Sequence, residues 1–349
     1  MKNKLKTCIL HVGIHKTGST SIQNAIEGYD DGRTLVPNLS FKNHSVPFQL
    51  VFAGPEDYSS NEHERASDAF YRKMAEDILE MMCDGLSEER PYILFSAERL
   101  SNLGAGSLWR IREFIQNYCD RIEILMFVRE PLGWTASWFQ QALTRGFEVR
   151  SELVSGKIRD RYETLAGVFG AENIRVRRYE EKEDFGGDII DLFAHIVGLD
   201  SARLKKPVRP ANISASELTT QAMYRLNRAE GIAGVYRTVP EARLAFIGGI
   251  DRLVEEKGKI DARRFANAVD WEDFAFVNTL IDRPYELSPA SDACLESYMM
   301  DMSDALLAAL NKHLIHRGAL EVETRDPDLA LSLFFVLAAG ERLAKKAEG

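Results

Sequence analysis

The chain has 349 residues, of which 45% are hydrophobic and 28% charged, and its formal net charge is -9. That length allows either a core with a large elaboration or two domains. The acidic balance excludes a general nucleic-acid or anionic-membrane binder, because both need a basic surface.

Local basic stretches, "RVRRYEE" and "RLKKPVRP", suit an anionic small ligand without making the whole surface basic. The four cysteines (Cys8, Cys83, Cys119 and Cys294) are scattered and form no CxxC pair, which favours a reducing compartment. The apolar run "CIL" is interrupted at His11 and is too short for a signal peptide, and "LALSLFFVLAA" is too short to span a bilayer. A soluble cytoplasmic protein without a membrane span is expected.

In chain order, "KTCILHV" reads as a buried strand, followed by a glycine-bracketed loop and a helix. Residues 30–62 hold several Gly, Pro, Asn and Ser and read as loops. A helix follows from Arg65 ("RASDAFYRKMAEDILEMM"), then the strand "PYILFS", a helix from Gly106, and the strands "RIEILMFV" and "NIRVRRY". The first three strands are mostly apolar runs, as in a parallel sheet covered on both faces. The fold class expected is α/β, a P-loop-like parallel sheet flanked by helices, over residues 1–215. Beyond "KKPVRPANIS" strand signals vanish, and 216–349 reads as a mostly helical C-terminal elaboration that shapes an acceptor site or a partner surface. There Leu295, Tyr298, Met299, Met302, Leu306 and Leu310 form a helical core stripe, and a last helix runs from about Asp328 to Ala347.

The first loop, "GIHKTGSTS", has Gly13, four residues, Gly18, then Ser19 and Thr20. A strand, a glycine loop and a helix start place backbone N–H groups around an anion. A nucleotide triphosphatase carries lysine directly after the second glycine. This chain has Ser19 there, and the lysine stands earlier, at Lys16. No neighbouring strand ends in the Asp that would hold magnesium: "ILMFV" leads to Arg129, and "YILFS" to Ala97 and Glu98. The site reads as metal-free and cationic. That suits transfer of a sulfuryl group, which carries one negative charge fewer than a phosphoryl group.

On these residues, "HKTGSTS" resembles the 5′-phosphosulfate loop of sulfotransferases that use 3′-phosphoadenosine 5′-phosphosulfate (PAPS). The resemblance implies PAPS as co-substrate, with Lys16 as the catalytic lysine at the bridging oxygen. It also implies that Thr17, Gly18, Ser19 and Thr20 hold the 5′-phosphate. His15 stands where many relatives have proline and is assigned to the loop lining. "VREPLGWTAS" resembles the family's 3′-phosphate motif, in which Arg129 and Ser137, eight residues apart, bind that phosphate. An Arg fork and a helical hydroxyl suit phosphate oxygens. "RPANIS" is similar to a segment of bacterial members and brings Arg209 and Asn212, with Ser214, toward the nucleotide end. The resemblance covers about residues 5–215, and the usual Arg-Lys-Gly loop of the cytosolic enzymes is not evident.

Sulfating a hydroxyl requires a base. In the cytosolic enzymes of the family the base follows the strand preceding the Arg/Ser motif; the equivalent place here, after "PYILFS", implies Glu98 as the first candidate, and His44 in "FKNHSVPF" is the alternative on a loop. His11 and His15 have a metal-like spacing but sit on a strand and a loop, so no zinc site is expected. Two other functions stay open: a small-molecule kinase with a degenerate phosphate loop, and a non-catalytic, nucleotide-regulated binding module. A glycan, lipid or other small molecule is the expected acceptor. Trp134, Trp138 and Phe139 could stack on it or belong to the core. Oligomeric state is not readable.

Overall fold

The computed structural model describes residues 5–54, 57, 69–149, 154–206, 215–229, 233–253, 258–287 and 294–347. Arg209, Asn212 and Ser214 lie outside the described residues. The elements are β1 (Thr7–Gly13), α1 (Ser19–Ala25), β2 (Thr34–Leu35), α2 (Ser45–Phe52), α3 (Ala69–Ser87) and β3 (Tyr92–Ser96). Next come α4 (Ala105–Gln116), β4 (Arg121–Val128), α5 (Pro131–Thr144), α6 (Ile158–Phe169), β5 (Ile174–Arg178) and α7 (Ile189–Val197). The remainder is helical: α8 (Glu217–Leu226), α9 (Ala233–Thr238), α10 (Pro240–Leu253), α11 (Trp271–Val277), α12 (Leu295–Met300), α13 (Asp304–His316) and α14 (Pro327–Ala347).

The chain divides into two compact units. The first comprises Met1–Glu130, Ser155–Ala211 and Glu272–Glu286; the second comprises Pro131–Val154, Asn212–Trp271 and Leu287–Gly349. The first unit is α/β. Its five strands run parallel in the order β2-β3-β1-β4-β5. Every residue of β1 is buried, which fits its unbroken apolar run and central place between β3 and β4. Ile9, Leu94, Leu125 and Phe127 of the sheet share one core with Ile22 of α1 and Leu192 and Phe193 of α7. At about 25 cal/mol per Å² of apolar surface, such burial is the main source of stability. The edge strand β5 carries arginines, and Arg175 pairs with Glu123 of β4 at 2.9 Å.

Two sequence expectations are refined here. Residues 30–62 are not all loop: Thr34 and Leu35 add a short edge strand to β3, and Ser45–Phe52 is helical. The stripe from Leu295 to Leu310 is interrupted after Met300, because Ser303 Oγ accepts the Leu306 N–H and starts a new helix. Leu295, Met299, Leu306 and Leu310 are nevertheless all buried.

In the second unit, Phe139 stacks on Tyr224 with centroids 5.8 Å apart and meets Phe265 edge-on at 5.2 Å. Trp134 is also buried, so these two aromatics of α5 are core residues. α10 and α14 approach closely at Gly249, where a Cβ would stand 2.8 Å from the Phe334 ring. No helix among the described residues is long and apolar enough to cross a membrane.

Candidate functional site

The site of the first unit lies where β1, β3, β4 and β5 end. β1 ends at Gly13, whose carbonyl accepts the Ser101 hydroxyl at 3.0 Å. The chain then turns sharply, and the buried Thr17 hydroxyl donates to Ile14 O at 2.9 Å. Lys16 takes a left-handed backbone, φ 74°, and Gly18 another, φ 82°. A non-glycine residue in that region costs on the order of 1–2 kcal/mol, a strain that concentrates at functional loops. At Gly18 both the conformation and the space demand glycine: a Cβ would lie 3.1 Å from Ile189 Cγ2 and 3.3 Å from Tyr179 Cε2. α1 begins at Ser19; the Ser21 and Ile22 N–H groups donate to Gly18 O at 3.0 and 3.2 Å, so the N–H groups of Ser19 and Thr20 precede the helical ladder. Ser19 Oγ is buried and makes no hydrogen bond of regular geometry, while Thr20 is exposed.

Arg129 follows β4. Its Nη1 donates to Lys16 O at 3.1 Å, and its guanidinium lies 5.2 Å from the centroid of the Tyr179 ring. The Lys182 ammonium sits 5.1 Å from the same ring. Tyr179 opens the turn after β5, so three strand ends converge on the loop. Arg178 stacks on Tyr285 at 4.5 Å, and the Tyr285 hydroxyl donates to Glu180 at 2.9 Å. Burial, then the Glu180 charge, pushes the Tyr285 hydroxyl far above its ordinary value.

β3 leads into Glu98. His15 Nδ1 stands 3.4 Å from Glu98 Oε1. Burial pushes the Glu98 carboxyl up, but His15, the nearby Ser19 hydroxyl and His11 outweigh it and hold the carboxyl below the usual carboxylate range. The structure adds Arg161 of α6, which sequence reasoning missed. Burial lowers its guanidinium's affinity for the proton, opposed by the charges of Asp273 and Glu98. Asp273 accepts the N–H groups of Ile158 and Arg159 at 2.8 and 2.7 Å, fixing the start of α6.

Ser96 joins two buried histidines. Its hydroxyl lies 2.8 Å from His11 Nδ1, and its N–H donates to His44 Nδ1 at 3.3 Å. The His44 N–H donates to Ser96 O at 3.0 Å. His44 is 3% exposed, at the N-cap of α2 rather than on an open loop. Burial lowers both imidazoles to about 4. Lys16, His15, Thr17, Gly18, Ser19, Arg129 and Glu98 are thus brought together in the first unit. Ser137 belongs to the second, half-buried on α5. Among the described residues no group of three or more His, Cys, Asp or Glu side chains could hold a metal ion.

No family model matches the chain. A protein of Archaeoglobus fulgidus, itself described only as uncharacterized, is 28% identical over 171 residues, which are 48% of this chain. The match spans only 45% of that relative's length. Among solved structures, a sulfotransferase from Alicyclobacillus acidocaldarius aligns with TM-score 0.36 and 15% identity, over 69% of this chain and 95% of that one. A sulfotransferase domain from the curacin biosynthetic pathway aligns with TM-score 0.35 and 12% identity, over 61% of this chain and 84% of that one. Likeness at this level carries no functional weight.

Proposed function

We propose that this chain is a sulfotransferase that moves a sulfuryl group from PAPS to the hydroxyl or amine of a small molecule, lipid or glycan. The observation that carries the reading is the tie between Arg129 and Lys16 O. It joins the arginine after β4 to a strained lysine loop.

In this reading Lys16 and the loop N–H groups stabilise the charge that develops on the departing phosphate. Thr17, Gly18, Ser19 and Thr20 hold the 5′-phosphate, and His15 lines the loop. Arg129 forks onto the 3′-phosphate together with Ser137, and Arg209 and Asn212 serve the nucleotide end. Glu98 takes the acceptor proton as the new S–O bond forms. We assign that role to Glu98 rather than His44. Glu98 is held ionised, the state a base requires, whereas the Nδ1 lone pair of His44 already accepts the Ser96 N–H. The helical region over 216–349 supplies acceptor or partner contacts, and the scattered cysteines suit action in the cytoplasm.

The test is calorimetric titration with 3′-phosphoadenosine 5′-phosphate. Binding that is lost in Arg129→Ala supports the assignment. No binding, or binding indifferent to that substitution, overturns it. Magnesium-dependent turnover of ATP would favour a small-molecule kinase instead.

A further inference from the structure

α6 turns one stripe toward the core of the first unit. Ile158, Leu165 and Val168 on that stripe are buried, and Arg161 belongs to it by spacing, three residues after Ile158 and four before Leu165. An arginine therefore stands, half-buried, where the helix pattern calls for an apolar side chain. α6 packs against the turn Glu98–Asn102. The Arg161 guanidinium, charged at any ordinary pH, makes no hydrogen bond and no ion pair within 4.0 Å among the described residues. Arg159, two residues earlier, does find a partner, the Phe276 ring at 4.9 Å. Two carboxylates are near enough to act on the Arg161 charge, Asp273 and Glu98. Both are engaged elsewhere: Asp273 with the N–H groups of Ile158 and Arg159 at 2.8 and 2.7 Å, and Glu98 with His15 at 3.4 Å. Their attraction does not offset what burial costs the guanidinium. A desolvated cation held without a bonded partner works against the fold, as groups kept for ligand binding do.

We propose that Arg161 binds a carboxylate of the acceptor, so that the substrate is an acid that presents its carboxylate to Arg161 and its hydroxyl or amine to Glu98. The proposal rests on the sulfotransferase reading, in which Glu98 faces the acceptor. In that reading the donor's charges have other partners: the 5′-phosphosulfate has Lys16 and the loop, and the 3′-phosphate has Arg129. A planar guanidinium offers a carboxylate two parallel N–H donors. It also answers a repulsion, since a carboxylate entering beside Glu98 and the phosphosulfate would be pushed away by both.

The experiment is calorimetric titration of the full chain, with and without saturating 3′-phosphoadenosine 5′-phosphate. The probes are hydroxybutyrate, hydroxyphenylacetate and glucuronate, each against its amide, so that the reach from hydroxyl to carboxylate varies. At least one acid is expected to bind ~10-fold or more tighter than its amide, and Arg161→Gln should bring the two within about 2-fold. In the ligand-free protein Arg161→Met should hold or raise the melting temperature, because it removes a desolvated charge and keeps the length of the side chain. No acid preferred over its amide, or a preference that survives Arg161→Gln, would overturn the proposal. A marked fall in melting temperature for Arg161→Met would also overturn it, by making Arg161 the structural counter-charge of Glu98 and Asp273. Loss of nucleotide binding in Arg161→Gln would move the residue to the donor and overturn it too. A natural protein that binds acids through Arg161 but not the nucleotide would sink the donor assignment and leave the acid site standing.

Discussion

Arg129 Nη1 and the carbonyl oxygen of Lys16 are 3.1 Å apart, so the residue after β4 holds the loop after β1 by its backbone. Because the guanidinium also covers Tyr179, it is fixed by a hydrogen bond and a cation–π contact at once. Arg129→Lys keeps the charge and loses the planar fork. Affinity for 3′-phosphoadenosine 5′-phosphate is expected to fall at least ~10-fold, equivalent to about 1.4 kcal/mol, as read by calorimetry.

Lys16 and Glu98 are assigned to opposite ends of the transfer, so their variants should separate. Lys16→Ala is expected to lower kcat by roughly 10²–10³, the usual loss of one transition-state stabiliser. Glu98→Gln is expected to lower kcat by roughly 10²–10⁴ while nucleotide binding persists. Initial rates with labelled PAPS, paired with binding isotherms, measure both. Full activity in Glu98→Gln would return the base role to another group.

The buried pair His11 and His44 makes a pH prediction with a definite sign. Each imidazole falls from 6.5 in its ordinary state to about 4 in the fold. Between those values the unfolded chain binds protons that the folded one refuses, so stability declines as pH falls from about 6.5 to about 4. Above that window neither state is protonated and the effect is absent. Each histidine contributes a slope of up to ~1.4 kcal/mol per pH unit. Urea midpoints across the range should show it, and His44→Gln should flatten the slope. The depressed Glu98 carboxyl acts at lower pH, where its protonation removes a further contribution.

Gly18→Ala meets two separate obstacles. The backbone at φ 82° costs an alanine about 1–2 kcal/mol, and the new methyl presses on Ile189 and Tyr179. Measured against Ile189→Ala alone, the combined variant Gly18→Ala with Ile189→Ala, which removes both crowding γ carbons, should recover the Ile189 part of the steric share and not the conformational one. Denaturation midpoints of these variants give the partition.

The sheet was legible because β1, β3 and β4 are apolar runs long enough to be recognised alone. β2 was not, since two residues carry no period and pair only because β3 lies beside them. The Leu295–Leu310 stripe predicted the burial of Leu295, Met299, Leu306 and Leu310, but Tyr298 and Met302 are half-buried and the break was not foreseen, because periodicity carries across Met302 while the Ser303 cap acts on backbone geometry. In the site, Lys16, Gly18 and Arg129 stood out through spacing along the chain. Arg161 and Asp273 lie far from these motifs in sequence, and only tertiary packing brings Asp273 to the start of α6. "FKNHSVPF" reads as polar loop, yet His44 is buried because Ser96 offers it partners at both N–H and Nδ1.

Residues 272–286 return to the first unit from beyond most of the second. They bring Asp273 to the start of α6 and Tyr285 to Glu180. During synthesis, therefore, the sheet can assemble long before the unit that contains it is complete. The start of α6 must wait, with the N–H groups of Ile158 and Arg159 unanswered by Asp273, until the ribosome has released a stretch encoded more than a hundred residues later.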